Sequence, residues 1–158
     1  MNAVAEQVSQ PATPPRRRSK PLLPVNAVAS LLDVSNDAVL RLVEKGSLAW
    51  AWNVSVNPKP RRRCLRILPA AVADWMGGRA CSLKQAEVFG LLLPEGPVVT
   101  SRDLYRVLNI SGDQLYGLVK AHQLIPCSTW GRGPKGKARF ASVRVIQFFQ
   151  KRRYCLER

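Results

Sequence analysis

The chain has 158 residues, 46% of them apolar, which is enough to bury a hydrophobic core and excludes a wholly disordered protein. Lys and Arg number 25 against 10 Asp and Glu, and the net charge of +15 favours nucleic acid as the partner before an anionic membrane surface. The sequence contains no apolar run of roughly 18 residues and no export-signal pattern, so we expect a cytoplasmic, nucleoid-associated protein.

The cysteines and the single histidine argue against a metal site. The cysteines are far apart along the chain, whereas structural zinc uses closely spaced pairs of ligands. We expect reduced thiols, no metal and no cofactor. Because the sequence also lacks a phosphate-binding loop and a nucleophile motif, it does not predict an enzyme.

Residues 1–21 contain the segment QPATPPRRRSKP, whose proline and charge predict a disordered tail. Two interpretations stay open for this tail. It either keeps the protein in solution or acts as a basic arm that enters a minor groove through Arg16, Arg17 and Arg18.

Residues 22–79 predict helix, turn, helix, two strands and helix. Apolar spacing predicts a first helix over 25–32, and Ser35 is a suitable N-cap for a second helix that runs to Lys45. The segment SLAWAWNVSV has strand character, and the prolines in the following NPKPRRRCLRI favour a turn before a return strand. A third helix is predicted over 69–76, since proline suits a first helical position.

Residues 80–97 predict a helical linker that starts at a Ser82-x-x-Gln85 cap and continues to Leu93. Its apolar side chains indicate burial. Two interpretations are open: it packs between two domains, or it lies at a dimer interface. We favour the first, which would fix the two domains relative to each other.

Residues 98–158 repeat the first pattern. Residues 23–49 align without a gap to residues 99–125 at an offset of 76, with six of 27 positions identical and a shared apolar pattern. Downstream, residues 66–76 align to 139–149 at an offset of 73. The repeat therefore predicts the same elements, with capping boxes at Thr100-x-x-Asp103 and Ser111-x-x-Gln114, a wing over 123–140, and a last helix over 142–153.

Each copy has the outline of a winged helix-turn-helix domain. LLDVSNDAVLRLVEKGSL with the later RIL, and more loosely VLNISGDQLYGLVKAHQL with ARF, resemble the DNA-binding domains of excisionases and MerR-type regulators. The sequence thus predicts a mainly α fold with small β wings: two tandem winged helix-turn-helix domains, at 22–79 and 98–158, joined by a helix. The chain lacks the long dimerising helix and the effector domain of MerR regulators.

The resemblance implies a non-catalytic protein that binds double-stranded DNA. The second helix of each copy would lie in the major groove, and the wing would contact the backbone or the minor groove. Such a protein is an excisionase-like recombination directionality factor or a small transcriptional regulator, and the sequence does not decide between DNA recombination and transcription regulation.

On the second helix of the first copy, Arg41 is suited to reading a guanine and Asn36 to an adenine or a phosphate, whereas Asp37 suits the helix start. That helix is also expected to turn Leu40 and Glu44 outwards. The residues expected to contact DNA are Arg16, Arg17, Arg18, Ser35, Asn36, Arg41, Lys45, Lys59, Arg61, Arg62, Arg63, Arg66, Ser111, Tyr116, Lys120, Arg132, Lys135, Lys137 and Arg139.

Alternatives stay open for several residues. The aligned Arg66 and Arg139 could pair with a carboxylate or cap a carbonyl instead of binding DNA. Among the tryptophans, Trp50 and Trp52 suit packing, Trp75 occupies a predicted core position, and Trp130 is the best candidate for stacking on a base.

Alternatives also stay open for the function. The second helix of the second copy is poor in hydrogen-bond donors, so the chain could be an adaptor whose second domain binds a protein such as a recombinase or polymerase. A third hypothesis is that the chain binds single-stranded DNA or RNA. The oligomeric state, a monomer on DNA or a cooperative array, is also open.

Overall fold

The structure, a computed structural model, describes residues 21–57, 63–127 and 138–154. Within these residues the chain is mostly helical with two small antiparallel sheets, which confirms the predicted fold class at this level. In chain order the elements are β1 (Leu23–Pro24), α1 (Val25–Leu32), α2 (Asn36–Glu44), β2 (Ala51–Asn53), β3 (Leu65–Ile67), α3 (Pro69–Met76), α4 (Gln85–Leu92), β4 (Val98–Thr100), α5 (Ser101–Leu108), α6 (Gly112–Lys120), β5 (Arg139–Ala141) and α7 (Ser142–Arg152).

The strand pairing repeats with the offsets found in the sequence. In the first copy (residues 22–79) Leu23 pairs with Ile67 across β1 and β3. In the second copy (residues 98–154 of the described chain) Val99 pairs with Phe140 across β4 and β5. Adding 76 to the first partner and 73 to the second converts one pair into the other, so the two copies use the same strand register.

The backbone at the helix ends repeats as well. Asp33 and Asn109, which end α1 and α5, have φ of 53° and 51°. Gly46 and His122, which follow α2 and α6, have φ of 77° and 56°. Because Asn, Asp and His enter the left-handed region more readily than most side chains, the second copy keeps the turn without glycine.

Side-chain caps fix the starts of three helices. Ser35 Oγ accepts the Ala38 N–H at 3.2 Å, and Ser111 Oγ accepts the Gln114 N–H at 3.2 Å. Thr100 and Asp103 form the predicted reciprocal capping box at the start of α5.

The cap predicted at Ser82 and the Gln114 half of the second capping box are wrong. The linker helix α4 starts at Gln85 rather than after Ser82, because the Glu87 carboxylate accepts the N–H of Lys84, the residue just before the helix, at 2.6 Å. The Gln114 side chain does not close a box with Ser111, since its amide donates to the Val54 carbonyl of the first copy at 3.1 Å.

Two hydrophobic cores lie on opposite faces of β2. The smaller core belongs to the first copy and includes Ala51 with side chains of α1, α2 and β3. The larger core contains Trp50, Trp52 and Val54 together with side chains of α4 and of the second copy. Since strand side chains alternate between faces, the run AWAWNVSV buries both sides of this strand. The two copies therefore share a core.

The sheets differ from the predicted wings in two respects. In the first copy β1 adds a strand, giving the order β1-β3-β2. In the second copy the predicted hairpin strand is wrong for residues 123–127, because β5 pairs with β4. Among the described residues, the incoming chain meets β5 at Cys127, whose N–H and thiol both donate to the Arg139 carbonyl, at 2.8 and 3.1 Å. The remainder of that predicted wing, residues 128–137, lies outside the described residues.

The outer edge of β2 is covered by the end of the second copy. Arg153 forms an antiparallel bridge with Trp52, and the Tyr154 N–H donates to the Ala51 carbonyl at 2.8 Å. The Arg153 guanidinium lies over the Trp50 ring at 3.9 Å from its centroid. An exposed strand edge can pair with other chains, and these residues prevent that.

The linker helix α4 packs into the shared core, as the first of the two interpretations predicts. Its Val88 and Leu92 are buried, and the Phe89 ring lies 5.9 Å from that of Phe149 on α7. The predicted core position of Trp75 is wrong, because this side chain is 36% exposed at the end of α3. In the part of the chain that the structure describes, no helix has the length and apolarity to cross a membrane.

Candidate nucleic-acid interface

Helix α2 presents a polar face to solvent. Asn36, Asp37, Arg41 and Lys45 are exposed, while Val39 and Val43 are buried in the smaller core. The predicted outward orientation of Leu40 is wrong, since this side chain is half-buried against that core. The exposed face therefore combines two cations with an amide, which are groups that can donate to phosphates and base edges.

The hairpin of β2 and β3 is tied to the end of α2. The Arg63 guanidinium contacts the Glu44 carboxylate at 3.1 Å and also donates to the Tyr154 hydroxyl. Glu44 is thus half-buried and paired, not simply turned outwards. Because about a third of each charged side chain is exposed, this ion pair stabilises the fold only modestly, but it holds the hairpin beside α2.

Helix α6 contacts the same hairpin. The Gln114 amide donates to the Val54 carbonyl, and Gly117 faces the Val56 side chain without a side chain of its own. Ser111, Asp113, Tyr116 and Lys120 are exposed on α6. The hairpin consequently contacts both α2 and α6, and we call these three connected elements the α2–hairpin–α6 surface.

A methyl group at position 117 should disturb this contact. A Cβ at Gly117 would lie 2.9 Å from Val56 Cγ2, which belongs to a short and stiff side chain. We expect Gly117→Ala to lower the unfolding free energy by about 1 kcal/mol or more, because overpacking outweighs the helix propensity of alanine. Urea unfolding followed by circular dichroism measures the effect.

Gly90→Ala is the matched control for that prediction, because Gly90 also lies inside a helix, α4, and a Cβ there would meet no atom within 4 Å. It should raise the unfolding free energy by about 0.5–1 kcal/mol. Adding Val56→Ala to Gly117→Ala should relieve the clash. Equal stabilisation by both glycine substitutions would contradict a close contact between α6 and the hairpin.

Arg66 caps a helix of the other copy. Its guanidinium donates to the Leu108 carbonyl at 3.0 Å and to the Asn109 carbonyl at 2.9 Å. These carbonyls end α5, where the helix dipole favours a cation. The alternative of carbonyl capping is therefore the arrangement found for Arg66. Its partner in the alignment, Arg139, is exposed.

Arg152 is a buried cation that the sequence interpretation missed. It is 8% exposed, and it donates to the Ser55 carbonyl at 3.1 Å and to the Gln123 side-chain oxygen at 2.8 Å. Burial lowers the pKa of the Arg152 guanidinium from its usual value, but arginine stays protonated at neutral pH. The sequence contains a signal for this burial, because residue 152 continues the helical spacing of the buried residues 145, 148 and 149 on α7.

The remaining predicted DNA contacts lie outside the described residues. They are Arg16, Arg17, Arg18, Lys59, Arg61, Arg62, Arg132, Lys135 and Lys137, together with the stacking candidate Trp130. Of the residues that are described, the structure brings Ser35, Asn36, Arg41, Lys45 and Arg63 together on α2 and the hairpin, and Ser111, Tyr116 and Lys120 on α6.

Trp50 and Trp52 serve packing, as predicted, because both are buried with ring centroids 6.1 Å apart. Among the described residues no group of three or more His, Cys, Asp or Glu is placed to hold a metal ion. Comparisons with protein-family models, with curated proteins and with solved structures gave no match to this chain. Its function is therefore argued from the geometry above.

Proposed function

We propose that this protein binds double-stranded DNA without catalysis, and that its two copies are tandem winged helix-turn-helix domains of the excisionase-like kind. In this proposal α2 lies in the major groove and the β2–β3 hairpin contacts the backbone or the minor groove. The observation that carries the proposal is the polar, exposed face of α2, with Arg41 and Lys45, held beside a hairpin by the Arg63–Glu44 pair.

The charge distribution along the chain supports this assignment. The segment that joins β2 to β3 contains Lys59, Arg61 and Arg62, and the segments 1–20, 58–62 and 128–137 together contain ten of the 25 basic residues. A protein that binds phosphates through many Lys and Arg gains most of its affinity from neutralising those phosphates and releasing their counterions. Basic residues of the segment that joins β2 to β3 would thus supply affinity, while α2 would supply sequence preference.

Helix α6 favours a second candidate function, that of an adaptor. Its Gly117 packs on Val56, and its exposed positions include Asp113 and Tyr116. This helix carries one cation, Lys120, where α2 and its C-cap residue carry Arg41 and Lys45, so it suits a recombinase, polymerase or other protein better than it suits DNA. In that case Lys120→Ala should weaken capture of the protein partner and leave the affinity for duplex DNA unchanged.

Arg41 provides the test of base reading. A selection from a random duplex library should return a motif, and Arg41→Ala should weaken binding to that motif by about 1–3 kcal/mol and relax the preference at one position. Arg144→Ala, which removes the same charge from the exposed face of α7, is the control. If both variants weaken binding equally and the motif is unchanged, Arg41 does not read a base.

Competition between probes tests the class of nucleic acid. We expect an unlabelled duplex to displace a labelled duplex of the same length more effectively than single-stranded DNA or RNA does. Stronger competition by a single strand would overturn the proposal in favour of a single-strand binder. An integrase gene beside the gene for this protein would favour a recombination directionality factor over a transcriptional regulator.

A further inference from the structure

The contact between the two copies has a strand side and a turn side. On the strand side, in the first copy, the Leu22 N–H donates to the Val107 carbonyl at 2.9 Å, and Arg66 donates to the carbonyls that end α5. On the turn side, in the second copy, the Asn109 amide returns a hydrogen bond to the Leu22 carbonyl at 3.3 Å. We call Leu22 with Arg66 the strand face, and residues 107–110 the turn face.

The same two faces occur again at the opposite ends of the molecule. With the repeat offsets, the strand face of the second copy is Val98 with Arg139, and the turn face of the first copy is residues 31–34. Leu22 and Val107 are 0% and 1% exposed, whereas their equivalents Val98 and Leu31 are 39% and 54% exposed. Within the described residues, each molecule therefore has one strand face and one turn face exposed.

The uncovered faces keep the chemistry of the covered ones. Leu31, Val34 and Val98 are apolar although they are exposed, and they are three of the nine large apolar side chains exposed in the described part of the chain. Asp33 has the left-handed backbone of Asn109, so the carbonyls that end α1 are arranged like those that end α5. Arg139 carries the guanidinium that Arg66 uses there, and the Asp33 carboxylate adds an opposite charge.

We propose that molecules of this protein associate head to tail, with the strand face of the second copy of one molecule on the turn face of the first copy of the next. Inside the chain, the strand face of the first copy covers the turn face of the second copy, so each kind of face is complementary to the other. Such an interface joins two different patches, so a pair leaves one strand face and one turn face uncovered, and further molecules can add in a row. This proposal is independent of DNA binding.

The contact between molecules is smaller than the contact within one. Inside the chain, the hairpin also packs on α6 at Gly117, where a Cβ would already be too close. The equivalent residue of the first copy is Arg41, whose side chain blocks a copy of that second contact. We therefore expect association that depends on concentration, and the face of α2 that carries Arg41 stays open.

Sedimentation velocity of the full chain, treated with nuclease and measured over a concentration series, tests the proposal. About 500 mM salt screens the repulsion between molecules of net charge +15. The average mass of the wild type should rise with concentration. Leu31→Lys and Val98→Lys should each weaken association about tenfold, because each removes an apolar side chain from one face. Met76→Lys, at an exposed apolar residue outside both faces, should associate like the wild type.

Mixing the two face variants gives the decisive result. Leu31→Lys keeps an intact strand face and Val98→Lys an intact turn face, so an equimolar mixture should form a dimer and nothing larger. A wild type that stays monomeric at every concentration, or a mixture that stays monomeric, would overturn the proposal. Thermal melting of each variant checks that it folds, and duplex binding by each variant reports separately on the proposed function.

Discussion

Raising the salt concentration from about 50 to 200 mM should weaken binding to duplex DNA by about 10³–10⁵-fold. That range applies if about six to ten phosphates are neutralised, because each neutralised phosphate releases condensed counterions that added salt drives back. The expectation follows from the net charge of +15 and from the basic segment that joins β2 to β3. Fluorescence anisotropy with a labelled duplex, repeated over a salt series, gives the slope.

A triple variant assigns part of this slope to the hairpin. Replacing Lys59, Arg61 and Arg62 by alanine should reduce the slope of log affinity against log salt by about three, since each phosphate contact contributes about one. The matched control replaces the exposed Arg79, Lys84 and Arg144 by alanine. It removes the same charge from the surface near α3, α4 and α7. Equal changes in both variants would mean that net charge alone, and not the hairpin, determines binding. A slope near zero in the wild type would contradict the proposed function.

Trp52→Ala should cost about 3–5 kcal/mol of unfolding free energy. The Trp52 side chain is 1% exposed and meets the Phe149 ring edge-on, with 5.3 Å between ring centroids. Phe149 belongs to the second copy, so the cavity left by the substitution would open in the core that both copies share. We expect one cooperative unfolding transition at a lower denaturant concentration, measured by circular dichroism.

Trp75→Ala is the control for this prediction, because that side chain is 36% exposed and belongs to neither core. It should change the unfolding free energy by about 0.5 kcal/mol or less. If Trp52→Ala were equally mild, or if it separated unfolding into two transitions while the first remained at the wild-type position, the two copies would not share a core.

Local signals in the sequence predict the helices well. Ser35 and the spacing of Val39 and Val43 locate α2 to within one residue, and the proline at 69 locates the start of α3. The offset of the repeat also predicts which strand residues correspond. These features depend on neighbours within one turn or on a comparison of the chain with itself, both of which a sequence contains.

Features that depend on distant partners could not be predicted in this way. Strand β1 has two residues, and its partner β3 lies about 40 residues further along the chain. Gln114 matches a local capping box, yet its amide donates to a carbonyl 60 residues away. The role of Arg66 likewise depends on the position of α5, which only the packing of the two copies determines.

The coverage of β2 by Arg153 and Tyr154 has a consequence for protein synthesis. The first copy leaves the ribosome long before α7 and the Arg153–Tyr154 segment, so Trp50, Trp52 and the edge of β2 stay unprotected until that segment has been synthesised. A nascent chain that stops short would display an apolar strand with unpaired backbone groups, which chaperones and proteases recognise. We therefore expect a chain truncated before α7 to be degraded faster than a chain that includes Tyr154.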